Sequence, residues 1–377
     1  MMKSIILQEV IKNGLNIVER ISSKSITLPI LNNILISTEK NFLNLSVTDL
    51  EIGIKWWALT KIEEGGGITV PSRLFSNFIN LLPNKKILLE IKNNILFVEC
   101  ENYKTKINGL TADEFPIIPR ITNTEFISLK NSLFCQGLSR VVDIPVSSTI
   151  KPEISGVYFT FEKDLITIAA TDSFRLGEKK ITLKNNFPLK EIYSFILPQK
   201  TAKEIINIFG GKEGEMKIYF SPNQIMFESS MEETDHPEVQ VVSRLIEGEY
   251  PNYQEIIPNK YTTTFILDKN EFLNQIKTAS LFSGKINEVK IKTELKENKI
   301  KLFSQSPDIG EYQSSIAGKI KGEPIDISFN HHFLIDGLSN IKSSEVIFGL
   351  SGGSGPGVLK PVGDDSYIYV VMPIKTT

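Results

Sequence analysis

The segment Ile166–Leu176 reads Ile-Thr-Ile-Ala-Ala-Thr-Asp-Ser-Phe-Arg-Leu, and the chain holds an earlier copy of it. Leu43–Ile54 reads Leu-Asn-Leu-Ser-Val-Thr-Asp-Leu-Glu-Ile-Gly-Ile, which sets Asp49 and Asp172 123 residues apart. A fainter copy, Ile300–Gln313, keeps the strand-like start and has Ser-Pro-Asp in place of Thr-Asp. A period this long exceeds that of any solenoid and matches the length of a domain. The repeat therefore restricts the chain to one structural unit used three times.

Periodicity supplies the contents of each unit. Lys3–Lys24 places Leu7, Val10, Ile11, Gly14, Val18 and Ile21 at helical spacing, which predicts a helix with one apolar stripe. Leu28–Ser37 and Phe42–Ile54 read as strands, the latter with Leu43, Leu45 and Val47 alternating. Thr69–Leu82 predicts a helix with Leu74, Phe75, Phe78, Ile79 and Leu82 on one face, stopped by Pro83. Strands follow at Ile87–Ile91, Ile95–Cys100 and Lys104–Leu110, and the unit closes on Asp113–Pro119. The order then restarts with a helix over Ile127–Val142, strands at Gly156–Glu162 and Leu165–Ala170, and a helix opening at Leu197-Pro198-Gln199. Gly210-Gly211 stops that helix, and Gly248–Pro258 mirrors the first closing segment. The third pass begins at Thr264–Asp268, with helices through Phe272 and over Asn330–Lys342, a glycine-rich loop at Ser351–Val358 and a last strand at Tyr367–Met372. Short turns between successive strands imply antiparallel sheets covered on one face by two helices, an α+β unit. The domain boundaries read as 1–122, 123–260 and 261–377.

An apolar fraction of 41% suffices for ordinary globular cores, and no stretch of 18 apolar residues suggests a membrane span. The opening Met-Met-Lys-Ser-Ile-Ile meets a charge too early for a secretory signal. Two cysteines, Cys100 and Cys135, make neither a disulfide framework nor a metal motif. A soluble cytoplasmic protein is the expectation. The net charge of −2 conceals a contrast: over the predicted helical segments the charges sum to +9, which leaves −11 elsewhere. A basic set of helices would attract phosphate without reading bases; lysines solvating exposed helix faces is the plainer account.

Catalytic chemistry is not legible. The three histidines are His236 and the adjacent pair His331 and His332, and neighbours on a helix point to different sides, so no metal site is expected. There is no phosphate-binding loop and no nucleophile elbow. Thr48-Asp49 and Thr171-Asp172 read as strand-ending Asx-type turns rather than as acid–base carboxylates. Arg175 would either clamp an anion or pair with a carboxylate. Neither cofactor nor catalytic residue is assigned.

Several segments together resemble the bacterial DNA polymerase III β subunit, the sliding-clamp family. They are Thr27-Leu28-Pro29-Ile30-Leu31-Asn32-Asn33, Val47-Thr48-Asp49-Leu50-Glu51, Thr69-Val70-Pro71-Ser72-Arg73, Ala170-Thr171-Asp172-Ser173-Phe174-Arg175-Leu176, Glu249-Tyr250-Pro251-Asn252-Tyr253 and Val370-Val371-Met372-Pro373-Ile374. They follow the family's order along the whole chain. The resemblance implies three repeated DNA-clamp domains with antiparallel sheets outside and two helices each inside, and a head-to-tail homodimeric ring. Such a ring encircles double-stranded DNA without catalysing anything, and holds a polymerase there by effective concentration. Implied partners are the replicative polymerase α subunit, clamp-loader subunits, repair polymerases and mismatch-repair proteins, through short peptides.

Carried over position by position, the peptide pocket between the second and third domains would use Ile154, Thr171, Ser173, Arg175, Leu176, Pro251 and Ile256. From the third domain it would add Asn330, Phe333, Val370, Met372, Pro373 and Ile374. DNA-facing residues would be Lys12, Lys24, Arg73, Arg140, Lys200, Lys203 and Lys277. At the subunit interface Thr105 and Ile107 would meet Ser280 and Leu281. Four features depart from the family pattern: Ser173-Phe174 in place of a frequent Gly-His, Gln254-Glu255 in place of two arginines, Phe333 in place of a tyrosine, and a long Ser351–Pro361 loop over or beside the pocket. The competing readings are a β-rich hydrolase with Asp49, Asp172 and Arg175 in a cleft, and a monomeric scaffold of the same fold.

Overall fold

The computed structural model describes residues 2–22, 28–121, 125–183 and 192–375. Lys24 and Thr27 lie outside the described residues. The first third of the chain contains β1 (Met2–Leu7), α1 (Gln8–Val18), β2 (Asn33–Glu39), β3 (Phe42–Thr48), β4 (Ile52–Leu59), β5 (Gly67–Pro71), α2 (Ser72–Leu81), β6 (Lys86–Lys92), β7 (Ile95–Cys100) and β8 (Tyr103–Asn108). The middle third repeats the order as β9 (Phe126–Lys130), α3 (Asn131–Leu138), β10 (Gly156–Phe161), β11 (Leu165–Thr171), β12 (Arg175–Thr182), β13 (Tyr193–Pro198), α4 (Gln199–Phe209), β14 (Glu215–Ser221), β15 (Gln224–Ser230) and β16 (Pro237–Arg244). The last third has β17 (Thr263–Asp268), α5 (Lys269–Ser280), β18 (Glu288–Glu294), β19 (Lys299–Ser306), β20 (Gly310–Ala317), β21 (Asp326–Asn330), α6 (His331–Ser339), β22 (Glu345–Leu350), β23 (Gly357–Pro361) and β24 (Tyr367–Val371).

Apart from the short edge strands Lys61–Glu64, Leu110–Thr111 and Lys319–Gly322, each third is thus a strand, a helix and three strands, used twice. The sequence reading missed the strand that precedes each helix. Lys3–Leu7 was expected to open a helix and instead forms β1, with Met2, Ser4 and Ile6 buried alternately and Leu7 exposed. Period two and period 3.6 overlap there, and the sheet takes the residues that β6 can pair. Ile127–Lys130 likewise belongs to β9 rather than to α3. On α2 the buried face is Ser72, Phe75, Ser76 and Ile79, while Leu74 faces solvent. Part of the predicted glycine-rich loop, from Gly357, is β23.

All ladders are antiparallel. Each helix follows its strand directly, and at α5 and α6 the strand's last residue caps it: Asp268 accepts from the Glu271 amide at 2.7 Å and Asn330 from the His332 amide at 2.9 Å. Three helices approach their sheets most closely at a glycine. A Cβ on Gly14 would meet the Trp56 ring at 2.4 Å, one on Gly137 would meet Ile181 at 2.6 Å, and one on Gly337 would meet Tyr369 at 2.5 Å.

By its contacts the chain divides into two compact units, Met1–Cys135 with Lys200–Leu245, and Gln136–Gln199 with Ile246–Thr377. The first holds a sheet ordered Lys61–Glu64, β1, β6, β7, β8, and a second ordered Leu110–Thr111, β5, β2, β3, β4, β16, β15, β14, β9. The second holds a sheet ordered β13, β10, β11, β12, β24, β23, β22, β17, Lys319–Gly322, and a shorter one ordered β20, β19, β18, β21. Each nine-stranded sheet therefore crosses from one third of the chain into the next, at β4–β16 and at β12–β24. Helices α1 and α2 pack together in the first unit, as do α5 and α6 in the second.

Candidate functional site

The β12–β24 crossing begins with the Thr-Asp turn. Asp172 accepts from the amides of Phe174 and Arg175, both at 2.9 Å, and the Thr171 hydroxyl donates to the Arg175 carbonyl at 2.7 Å. Ser173 takes a left-handed backbone with φ 76°. The Thr48-Asp49 turn repeats this bond for bond: Asp49 accepts from Glu51 and Ile52 at 3.0 and 2.8 Å, Thr48 donates to the Ile52 carbonyl at 2.9 Å, and Leu50 has φ 75°. Both aspartates are structural turn formers, as their place at strand ends predicted. The third copy retains the hairpin, β19 to β20, but turns through Gly310 at φ 126°.

Arg175 pairs with carboxylates. Its Nε donates to Asp172 at 2.9 Å, one Nη donates to Asp336 of α6, and the other donates to the Asp143 carbonyl at 3.3 Å. Its guanidinium lies 4.8 Å from the Phe333 ring centroid. Burial alone would lower its pKa, but Tyr369, Asp336 and Asp172 together hold it above the ordinary value. Phe174, at the tip of the turn and 62% exposed, stacks on Phe333 at 6.4 Å, and its carbonyl accepts from the Met372 amide at 2.8 Å.

The predicted pocket residues divide by burial. Ser173, Pro251 and Ile256 are exposed, while Arg175, Asn330, Phe333, Met372, Pro373 and Ile374 are half-buried. Thr171, Ile154, Leu176 and Val370 are buried. Leu176 and Val370 pack with Ala169, Tyr253 and Val358 and form the floor beneath the site. Tyr253 anchors the closing segment there by donating to Glu178 at 2.8 Å, which leaves Pro251 and Ile256 outward. Beside the tail, the Ile374 amide donates to the Ser328 carbonyl at 2.8 Å. The sequence reading noted Phe174 only as a departure from the family pattern, and it missed Asp336. Asp336 lies 161 residues from Arg175 in sequence, and nothing local links them.

Of the predicted DNA-facing residues, Arg73, Lys200, Lys203 and Lys277 are exposed on α2, α4 and α5, and Lys12 is half-buried on α1. Lys200 pairs with Asp49. Arg140 follows α3 and donates to the Asn340 carbonyl. With the observed helix bounds the helical charge falls from +9 to +2. The cations instead stand just past helix ends: Arg20, Lys85, Arg140, Lys212, Lys285 and Lys342 each follow a helix C-terminus within five residues. A cation there complements the negative end of the helix dipole. Thr105 and Ile107 lie on β8, with Ile107 buried. Ser280 ends α5, and the adjacent Leu281 is 68% exposed.

Among the described residues no group of three or more His, Cys, Asp or Glu could hold a metal ion, and no helix is long and apolar enough to cross a membrane. Three family profiles match nearly end to end: DNA polymerase III beta subunit, N-terminal domain over residues 2–119, central domain over 133–252 and C-terminal domain over 254–375. A Staphylococcus aureus protein named Beta sliding clamp is 28% identical over 386 residues, covering 100% of both chains. One of the same name from Synechococcus elongatus is 26% identical and covers 99% of each. The crystal structure of the DNA polymerase sliding clamp from Bacillus subtilis superposes with a TM-score of 0.93 at 26% identity over 100% of both chains.

Proposed function

The chain belongs to the DNA polymerase III beta subunit family, the sliding clamps, and from that premise we propose that two copies close head to tail into a ring around duplex DNA. It is a non-catalytic clamp of three domains, and we place the boundaries at 1–122, 123–260 and 261–377. The observation that carries the ring is the pattern of open strand edges. Within the chain, β4 pairs with β16 and β12 pairs with β24. By the repeat, the third such pair is β20 with β8, and among the described residues each of these ends its sheet. A second copy supplies the missing partner in both directions, which puts Thr105 and Ile107 on the same seam as Ser280 and Leu281.

Held by topology, the ring needs only weak phosphate contacts, supplied by Arg73, Lys200, Lys203, Lys277, Lys12 and Arg140, with no base edge read. The junction at β12–β24 receives short peptides of the replicative polymerase, the clamp loader and repair proteins. Phe174, Phe333, Met372 and Ile256 offer apolar contact there, and Arg175 is held rigid beneath Phe333 by its two carboxylates. The cytoplasm, where chromosomal DNA is copied in bacteria, is the place for this work. The test is native mass with low-resolution imaging. The expected result is a species near twice the 42.4 kDa chain, with an open centre. A monomer at micromolar concentration would overturn the ring.

A further inference from the structure

The backbone of the β4–β16 crossing is paired like that of the β12–β24 crossing. Val242 sits opposite Gly53 as Val370 sits opposite Leu176. The Arg244 amide donates to the Glu51 carbonyl at 3.0 Å, as the Met372 amide does to Phe174 at 2.8 Å. The closing segments also correspond. In Ile117-Ile118-Pro119 and Ile256-Ile257-Pro258 the first isoleucine is exposed, at 92% and 45%, and the second turns inward.

At the β4–β16 crossing these residues form an open hollow of about 240 Å³, walled by Leu50, Ile52, Ile117 and Val242 on one part and by Thr48, Glu51, Gln224 and Arg244 on the other. A cavity of roughly 150 Å³ already holds a benzene ring, so this hollow has room for a leucine- or phenylalanine-sized side chain against Leu50, Ile52, Ile117 and Val242. The backbone crossings match, but the rims differ. Where the second crossing has Phe174 and Met372, the first has Glu51 and Arg244. Their side chains are 62% and 61% exposed, and their charged atoms stand 3.8 Å apart, beyond hydrogen-bond reach. The two are paired by charge alone, and the guanidinium retains unused hydrogen-bond donors at the mouth of the hollow.

We propose that the β4–β16 crossing is a second peptide-docking site, which takes an apolar side chain in its hollow and binds an adjacent carboxylate of the same peptide through Arg244. The complementarity is one acidic residue beside one leucine-sized residue. A ligand with two apolar anchors and no acid fits the Phe174 and Met372 rim of the other crossing better. The site is independent of ring closure, since both of its walls lie in one compact unit.

The test is a titration of the full-length protein, labelled at isoleucine δ1 methyls, with N-acetyl-glutamyl-leucyl-glycine amide, followed by methyl NMR. The Ile52 and Ile117 signals shift saturably, and the glutaminyl analogue binds about threefold more weakly, in keeping with the worth of an exposed ion pair. In Arg244→Gln the two peptides bind alike, and Arg244→Lys restores part of the difference. Arg244 is exposed, so neither change threatens the fold. Equal affinities in the unmodified protein refute the proposal, as does the absence of Ile52 and Ile117 shifts. Shifts confined to Ile256 and Ile374 refute it too, but leave the β12–β24 peptide site standing.

Discussion

Replacing Asp172 by alanine removes three interactions at once. The Phe174 and Arg175 amides lose a shared carboxylate acceptor, each at 2.9 Å, and Arg175 loses the closer of its two carboxylate partners. Hydrogen bonds to a charged group contribute about 1.5–3 kcal/mol each in favourable settings. Breaking a buried ion pair costs about 3–5 kcal/mol, because the remaining charge is stranded. Asp172 and Arg175 are 7% and 9% exposed, but Asp336 remains to hold the guanidinium. A total of about 3–5 kcal/mol is therefore expected, since the contributions overlap. Asp49→Ala is the internal control. It removes the same two turn bonds, but its ion pair is to Lys200, 56% exposed, and exposed pairs contribute at most about 1 kcal/mol. Its cost is about 2–3 kcal/mol. The assay is the urea midpoint at fixed protein concentration, since association shifts the midpoint, with hydrogen exchange at the two turn amides of each variant. Equal losses in the two variants would refute the claim that the Arg175 pair adds buried stability. Unchanged exchange at Phe174 and Arg175 would refute the turn itself.

His331 is buried, and its pKa is pushed down to about 4 by burial and by the neighbouring His332. The unfolded chain therefore takes up a proton between pH 6.5 and about 4 that the folded chain refuses. Stability should fall by about 1–3 kcal/mol as pH drops through that window, and His331→Leu should flatten that part of the pH profile of the thermal midpoint. Phe75→Ala, at a fully buried position on α2, should cost about 3–5 kcal/mol, while Leu74→Ala stays within about 0.5 kcal/mol; equivalent urea midpoints would contradict the helix face described here. Arg73→Gln should weaken DNA association at all sequences equally and reduce the salt slope by about one unit; a sequence-dependent loss would contradict phosphate-only contact.

The threefold repeat, both Thr-Asp turns and most strands were legible, because alternation and turn chemistry act over a few residues. The strands ahead of the helices were not. Met2–Leu7 satisfies a helical and a strand pattern together, and only pairing with β6 decides between them. Leu74 shares helical spacing with Phe78 and Leu82, but the buried face of α2 centres on Phe75 and Ile79 and leaves Leu74 at its outer margin. The charge contrast was overstated because flanking residues such as Arg20, Lys86 and Lys342 were counted as helical. The pocket residues came from resemblance, and that could not separate buried positions, Leu176 and Val370, from outward ones, Ile256 and Met372. The tie from Arg175 to Asp336 depends on the β12–β24 pairing, which no local pattern encodes.

The central claim is topological, so the most direct measurement is retention on closed circular DNA against the same DNA after linearisation. The protein is first loaded by an ATP-driven clamp loader, and samples are separated by gel filtration in high salt. A ring stays on the circle and slides off the cut molecule. Equal loss from both substrates would contradict encirclement and leave only an electrostatic association with DNA.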